Sequence, residues 1–111
     1  MAAQPFNKLV WCDEFNKPGL PNGTRWNYNV VTACPEVCGW GNNELEWYTN
    51  KPENVIVQGG VLKIKVIKES VSGKPFTSAR LLTKDKFSFK YGKIEVKAKF
   101  PAGVGTWPAI W

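Results

Sequence analysis

Apolar and polar residues alternate one for one along much of this chain, and nowhere do apolar residues recur at i, i+3, i+4 and i+7 between good caps. A period of two belongs to strands that bury one face. The chain therefore reads as all-β. Its clearest unit is a hairpin: Asn54-Val55-Ile56-Val57-Gln58, then Gly59-Gly60, then residues 61–68. Gly-Gly supplies the positive φ values that a two-residue turn needs. In the second arm Leu62, Ile64 and Val66 face one way, and Val61, Lys63, Lys65 and Ile67 the other. Shorter strands are predicted at 9–11, 26–31 and 45–49, the last with Leu45 and Trp47 turned to the core. Residues 69–75, rich in Ser, Gly and Pro, read as a loop, and 76–82 as a strand. From Phe87 the pattern Phe87, Phe89, Tyr91 slips phase at Gly92 and resumes as Ile94, Val96, Ala98, Phe100. Such a slip marks a bulge or a bend. After a loop at 101–105, residues 106–111 read as another apolar strand.

Composition removes several function classes. With 111 residues the chain has room for one small core, burying about 65% of the surface it exposes unfolded. Its apolar runs are a few residues long, against the ~20 that a membrane-spanning helix needs, and no membrane partner is expected. There is no His, which excludes a His-based triad and a His-ligated zinc within this chain. The net charge of +6 is concentrated late: residues 61–100 carry eleven Lys/Arg against three Asp/Glu. Those lysines alternate with apolar residues, which favours a solvated strand face over a nucleic-acid surface. Cys34 and Cys38 bracket three residues, and Cys12 stands alone. A Cys34–Cys38 disulfide in an oxidising compartment is one reading, and a zinc half-site the weaker one. Residues 1–5 lack the basic start and apolar stretch of a secretion signal and read as a replaced start after a removed leader. Asn22-Gly23-Thr24 fits both an N-glycosylation pattern and a turn, and Asn-Gly favours the turn.

Five blocks then stand out in order. They are Leu9-Val10-Trp11-Cys12-Asp13-Glu14-Phe15, Gly41-Asn42-Asn43-Glu44-Leu45-Glu46-Trp47-Tyr48-Thr49, Ser78-Ala79-Arg80-Leu81, the run 90–99, and Gly103-Val104-Gly105-Thr106-Trp107-Pro108-Ala109-Ile110-Trp111. Together they resemble glycoside hydrolase family 16, and within it the bacterial-type endo-β-1,3-glucanases, or laminarinases. The resemblance implies a β-jelly-roll of two curved antiparallel sheets with a sugar groove on the concave face. It also implies a secreted enzyme that cleaves β-1,3-glucan with retention. In the family a Glu-x-Asp-x-x-Glu strand follows the Trp-Pro-Ala-x-Trp segment and carries the catalytic carboxylates. No such strand occurs in residues 1–111. The expectation is that the chain is the N-terminal portion of a single jelly-roll domain, with no catalytic residue of its own. A complementing C-terminal segment, or a second copy of the chain, would complete the sheets.

Site candidates follow from the same resemblance. Asn43 and Glu44 fall where the family offers polar groups to a sugar at the cleft floor. Arg80 matches its cleft arginine, with a surface strand charge as the competing reading. Trp107 and Trp111 share strand parity, and flat aromatic rings cover the C–H faces of sugars; hydrophobic core is the usual alternative for a Trp. Trp40 lies in a loop beside Asn42-Asn43 and is the one other tryptophan that a groove role would suit. Glu44 and Glu46, two residues apart on a strand, would share a face about 7 Å apart. Retaining hydrolysis needs carboxyls roughly 5–5.5 Å apart, and the resemblance places catalysis elsewhere. The family's structural Ca2+ would be held here by main-chain oxygens at Glu14 and Gly60, with a carboxylate missing. No catalytic cofactor is expected. The rival function is a non-catalytic carbohydrate-binding β-sandwich.

Overall fold

The computed structural model describes residues 6–111, so the reading of residues 1–5 lies outside the described residues. Two compact units are distinguished, Lys8–Ser88 and a second that includes Phe89–Trp111.

The first unit is all-β apart from one 3-10 turn at Cys38–Gly41. Its strands are β1 (Asn27–Asn29), β2 (Glu46–Tyr48), β3 (Val55–Gln58), β4 (Val61–Ile64), β5 (Ile67–Val71), β6 (Lys74–Ser78) and β7 (Arg80–Leu82). β1 pairs with β7, β3 with β4, and β5 with β6, all antiparallel. β2 pairs with β6 in parallel, an exception to the uniformly antiparallel sheets expected. An isolated bridge between Val31, two residues past β1, and Tyr48 links the β1–β7 pair to the three-stranded sheet β2–β6–β5.

The Gly59-Gly60 hairpin forms as expected, with φ of 64° and 78° at the two glycines. Its second arm is shorter than predicted. It stops at Ile64, and Ile67–Val71 turns away to pair with β6. The predicted loop at 69–75 is instead a second hairpin, turning at Ser72 (φ 48°) and Gly73 (φ 84°). Residues 9–11 form no strand. Leu45, expected in the core, precedes β2 and is 54% exposed. At Asn22 the turn reading holds. Its carbonyl accepts from the Arg25 and Trp26 amides, and its side chain accepts from Thr24.

Among the described residues the buried apolar side chains are Val55, Val57 and Ala79, and the buried polar ones are Thr32, Asn54, Thr77 and Ser78. Asn54 ties the β3–β4 hairpin to β2 and β6. Its Nδ2 donates to the Lys65 carbonyl (3.1 Å) and to Thr77 Oγ1 (3.0 Å), and its Oδ1 accepts from Thr49 Oγ1 (2.5 Å). Near one end, Trp26 stacks with Phe15 and meets Trp11 edge-on, while its Nε1 donates to Asp13 at 2.8 Å.

In the second unit the predicted strands at 87–100 and 106–111 do not form. Alternation prepares one face of a strand for burial, but the backbone groups need a neighbouring strand to pair with. No described strand pairs with this segment. Its local order is a Lys93–Glu95 ion pair at 2.8 Å and a turn in which Thr106 Oγ1 donates to the Gly103 carbonyl at 2.8 Å.

Candidate functional site

The richest polar cluster of the first unit sits where β7, β2 and the 3-10 turn meet. Two features of the backbone build it. Gly39 is buried with φ 63°, and its carbonyl accepts from the amides of Asn42 (3.0 Å) and Glu44 (3.2 Å). A Cβ at Gly39 would stand 3.0 Å from the Glu44 nitrogen, so the loop closes this tightly only around glycine. A disulfide joins Cys34 to Cys38 at the entrance to the same turn, and Cys12 is free. The pairing read from the spacing is therefore present.

On this loop Glu44 is held from several sides. Its Oε1 accepts a short hydrogen bond from the Tyr48 hydroxyl. Its Oε2 accepts from Asn42 Nδ2 at 2.8 Å and lies 3.9 Å from Arg80 Nη1. Its main-chain carbonyl accepts from Lys74 Nζ at 2.9 Å. The Arg80 guanidinium lies over the Trp40 ring, 4.5 Å from its centroid, and Trp40 in turn lies 6.4 Å from the Tyr48 ring. Glu46 Oε2 is 3.3 Å from the Tyr48 hydroxyl. A phenol has one hydrogen, and the shorter contact assigns it to Glu44.

The electrostatics follow from this crowding. Tyr48 is pushed far above the ordinary phenol range, first by burial, then by donating to Glu44 and by the charges of Glu46 and Glu44; Arg80 opposes this. Tyr48 therefore remains a neutral donor at any physiological pH. Chemically, the cluster offers a fixed carboxylate acceptor, a guanidinium donor and an indole within a few ångströms. That set suits the hydroxyls and C–H face of a sugar.

The predicted site residues fall into two groups. Glu44 and Arg80 come together in this cluster. Asn43 sits beside them, exposed and left-handed (φ 56°), while its neighbour Asn42 supplies the amide that reaches Glu44. Trp107 and Trp111 belong to the second unit, where they are 75% and 98% exposed. Sequence reasoning missed Tyr48, and left Trp40 only as an exception among structural tryptophans. The signal for Tyr48 was its parity, since residues 44, 46 and 48 fall on one face of an extended segment. Glu14 and Gly60 are exposed, and the described residues hold no group of three or more Asp, Glu or Cys side chains able to take a metal. Calcium takes six to eight oxygens, so these residues alone do not build its site.

Comparison with known proteins gives this geometry a context. The model of the family described as "Beta-glucan synthesis-associated protein SKN1/KRE6/Sbg1" matches residues 3–111. A beta-glucanase of Rhodothermus marinus is 48% identical over 108 residues, which are 96% of this chain and 36% of that protein. The solved laminarinase from Rhodothermus marinus superposes with a TM-score of 0.69 at 47% identity, covering 76% of this chain and 32% of that one. LamA of Z. galactanivorans, solved with laminaritriose and laminaritetraose, gives 0.68 at 44% identity, covering 78% and 35%. The fold is thus that of the family 16 jelly-roll laminarinases, and the chain spans about a third of the length of these relatives.

Proposed function

The chain belongs to the SKN1/KRE6/Sbg1 family of beta-glucan synthesis-associated proteins and resembles a solved laminarinase over 76% of its length, and on that premise we propose that it forms the N-terminal part of a β-1,3-glucan endo-hydrolase domain. In this reading it supplies scaffold and groove residues, while the carboxylate pair comes from outside residues 1–111. The observation that carries the proposal is the Glu44–Arg80 pair, held by Tyr48, Asn42 and Trp40 within one cluster. Arg80 donates to sugar hydroxyls, Glu44 accepts from them, and Asn43 adds an exposed amide beside the pair. Trp107 and Trp111, in the second unit, are read as further aromatic platforms for sugar.

The remaining parts of the proposal are coarser. A complementing C-terminal segment of the same enzyme covers the apolar side chains left open, such as Ile64 (50% exposed) and Val66 (63% exposed). The Cys34–Cys38 disulfide supports a secreted protein. Structural Ca2+ at Glu14 and Gly60 depends on ligands from that complementing segment. Chelation should therefore leave the unfolding temperature of residues 1–111 unchanged, since an unfilled site adds no linkage.

The test has two readings. Calorimetric titration of laminari-oligosaccharides into the protein should show binding that Arg80→Ala weakens about tenfold or more, the scale of one charge-assisted hydrogen bond. Residues 1–111 alone should release no reducing sugar from laminarin. Turnover by that chain, abolished in Glu44→Gln or Glu46→Gln, would overturn the assignment of the carboxylates. Unchanged affinity in Arg80→Ala with an intact fold would remove the groove. Binding without hydrolysis in the completed protein would leave a carbohydrate-binding module.

A further inference from the structure

We propose that Tyr48 is the positioning residue of this glucan-binding site, acting through Glu44 and not through the sugar itself; the inference rests on the functional reading above. A carboxylate at the end of a flexible side chain orders a sugar hydroxyl only if its own rotation is already restricted. Tyr48 provides that restriction from the best available place. It lies on β2, and its amide and carbonyl pair with Val31, so its backbone is held by strand pairing while its ring lies against Trp40. Its hydroxyl takes Glu44 Oε1, which turns Oε2 toward Arg80 and Asn42.

The consequence is a paired acceptor and donor, Glu44 Oε2 and Arg80 Nη1, held 3.9 Å apart. That spacing suits two neighbouring hydroxyls of one sugar ring, one donating to the carboxylate and the other accepting from the guanidinium. The indole under Arg80 limits the guanidinium in the same way that Tyr48 limits the carboxylate. Glu46, whose Oε2 is 3.3 Å from the same hydroxyl, adds negative charge beside the phenol and favours its neutral form.

A double-mutant cycle on the protein tests this, using laminaritetraose at neutral pH with unfolding temperatures measured alongside. Tyr48→Phe keeps the ring and removes only the donor; it should lower affinity about tenfold while the fold persists. In a Glu44→Ala background the same change should alter affinity less than about twofold, because the residue it acts through is gone. Losses that multiply, or no loss in Tyr48→Phe where Glu44→Ala has one, would overturn the proposal. If neither Glu44→Ala nor Arg80→Ala changes affinity, the glucan reading fails, and a second measurement still decides the positioning claim. Proton NMR at neutral pH, with Tyr48→Phe to assign the signal, should show the Tyr48 hydroxyl proton as a downfield, slowly exchanging resonance that is lost or moved upfield in Glu44→Ala. A resonance absent from the parent, or unmoved in Glu44→Ala, would mean that the two side chains are not coupled.

Discussion

Trp47 and Tyr48 are neighbours on β2, and successive strand residues point to opposite faces of a sheet. The two faces solve different problems. On the Trp47 side, Thr77 stands opposite in register and is 1% exposed; its Oγ1 accepts from Asn54, which also donates to the Lys65 carbonyl and accepts from Thr49. On the Tyr48 side, the polar groups also hold one another, but the carboxylate of Glu44 and the guanidinium of Arg80 stay partly open, at 14% and 23% side-chain exposure. A buried, closed network contributes to stability and is costly to interrupt. A half-open one orders its members while leaving donors and acceptors for a ligand. The two faces thus differ less in hydrogen-bond density than in how far their polar side chains are exposed.

The largest expected effect lies on the closed face. Asn54→Ala removes the donor to Thr77 and Lys65 and the acceptor for Thr49, leaving buried groups unpaired. Denaturant unfolding should show a loss of about 2–3 kcal/mol. Glucan affinity, measured where the protein remains folded, should change little. A large affinity loss at unchanged stability would break the distinction between the faces.

Gly39→Ala acts on the open face through the backbone. A non-glycine residue at φ 63° costs about 1–2 kcal/mol. The new Cβ would also press on the Glu44 nitrogen at 3.0 Å. Both stability and glucan affinity should fall, and the affinity loss should be absent when Glu44 is already Ala. An affinity loss that persists in the Glu44→Ala background would show that the loop acts through some other residue.

How much of this was readable beforehand differs from element to element. The 55–64 hairpin was legible because Gly-Gly has one common use between alternating arms. The 67–78 hairpin was not. Lys68, Glu69 and Ser70 break the alternation, and the Ser72-Gly73 turn was absorbed into a polar stretch. Glu44 and Arg80 were legible through resemblance, since spacing alone does not bring residues 36 positions apart together. Tyr48 was passed over although its parity sets it with Glu44 and Glu46, opposite Leu45 and Trp47. Segments 87–100 and 106–111 show the limit of patterning most plainly. Residues 93–100 alternate as well as any strand in the chain and 106–111 are apolar almost throughout, yet a strand is made by its partner.

The alkaline limb of stability sharpens the comparison further. Tyr48 and Tyr28 are both raised above the ordinary phenol value of 10.0, Tyr28 by burial and Tyr48 by burial first and the carboxylates second. A raised folded value favours the neutral phenol. The stabilisation is complete below the unfolded value and is lost as pH climbs above it toward the folded one. Unfolding free energy should therefore decline above about pH 10, and Tyr48→Phe should flatten that decline. A decline equally steep in the variant would assign it to other groups.

The smallest effect belongs to the one exception on the closed side. Tyr28 sits in β1 opposite Leu81, and its hydroxyl is buried without a hydrogen-bond partner among the described residues. A buried polar group left unpaired carries a desolvation cost with no return, whereas an apolar group of the same shape carries none. Tyr28→Phe removes only that oxygen and leaves the ring in place. The void it opens is about one oxygen atom in size, and its cost offsets part of the gain. The expected result is a change between zero and about 1 kcal/mol toward higher stability in denaturant unfolding, with glucan affinity unchanged. A loss above about 1 kcal/mol would mean that the hydroxyl does find a partner in the whole protein. Tyr28 would then be a contact point for the segment that completes the sheets, and the contrast between a closed face and an open one would hold only for residues 8–88 taken alone.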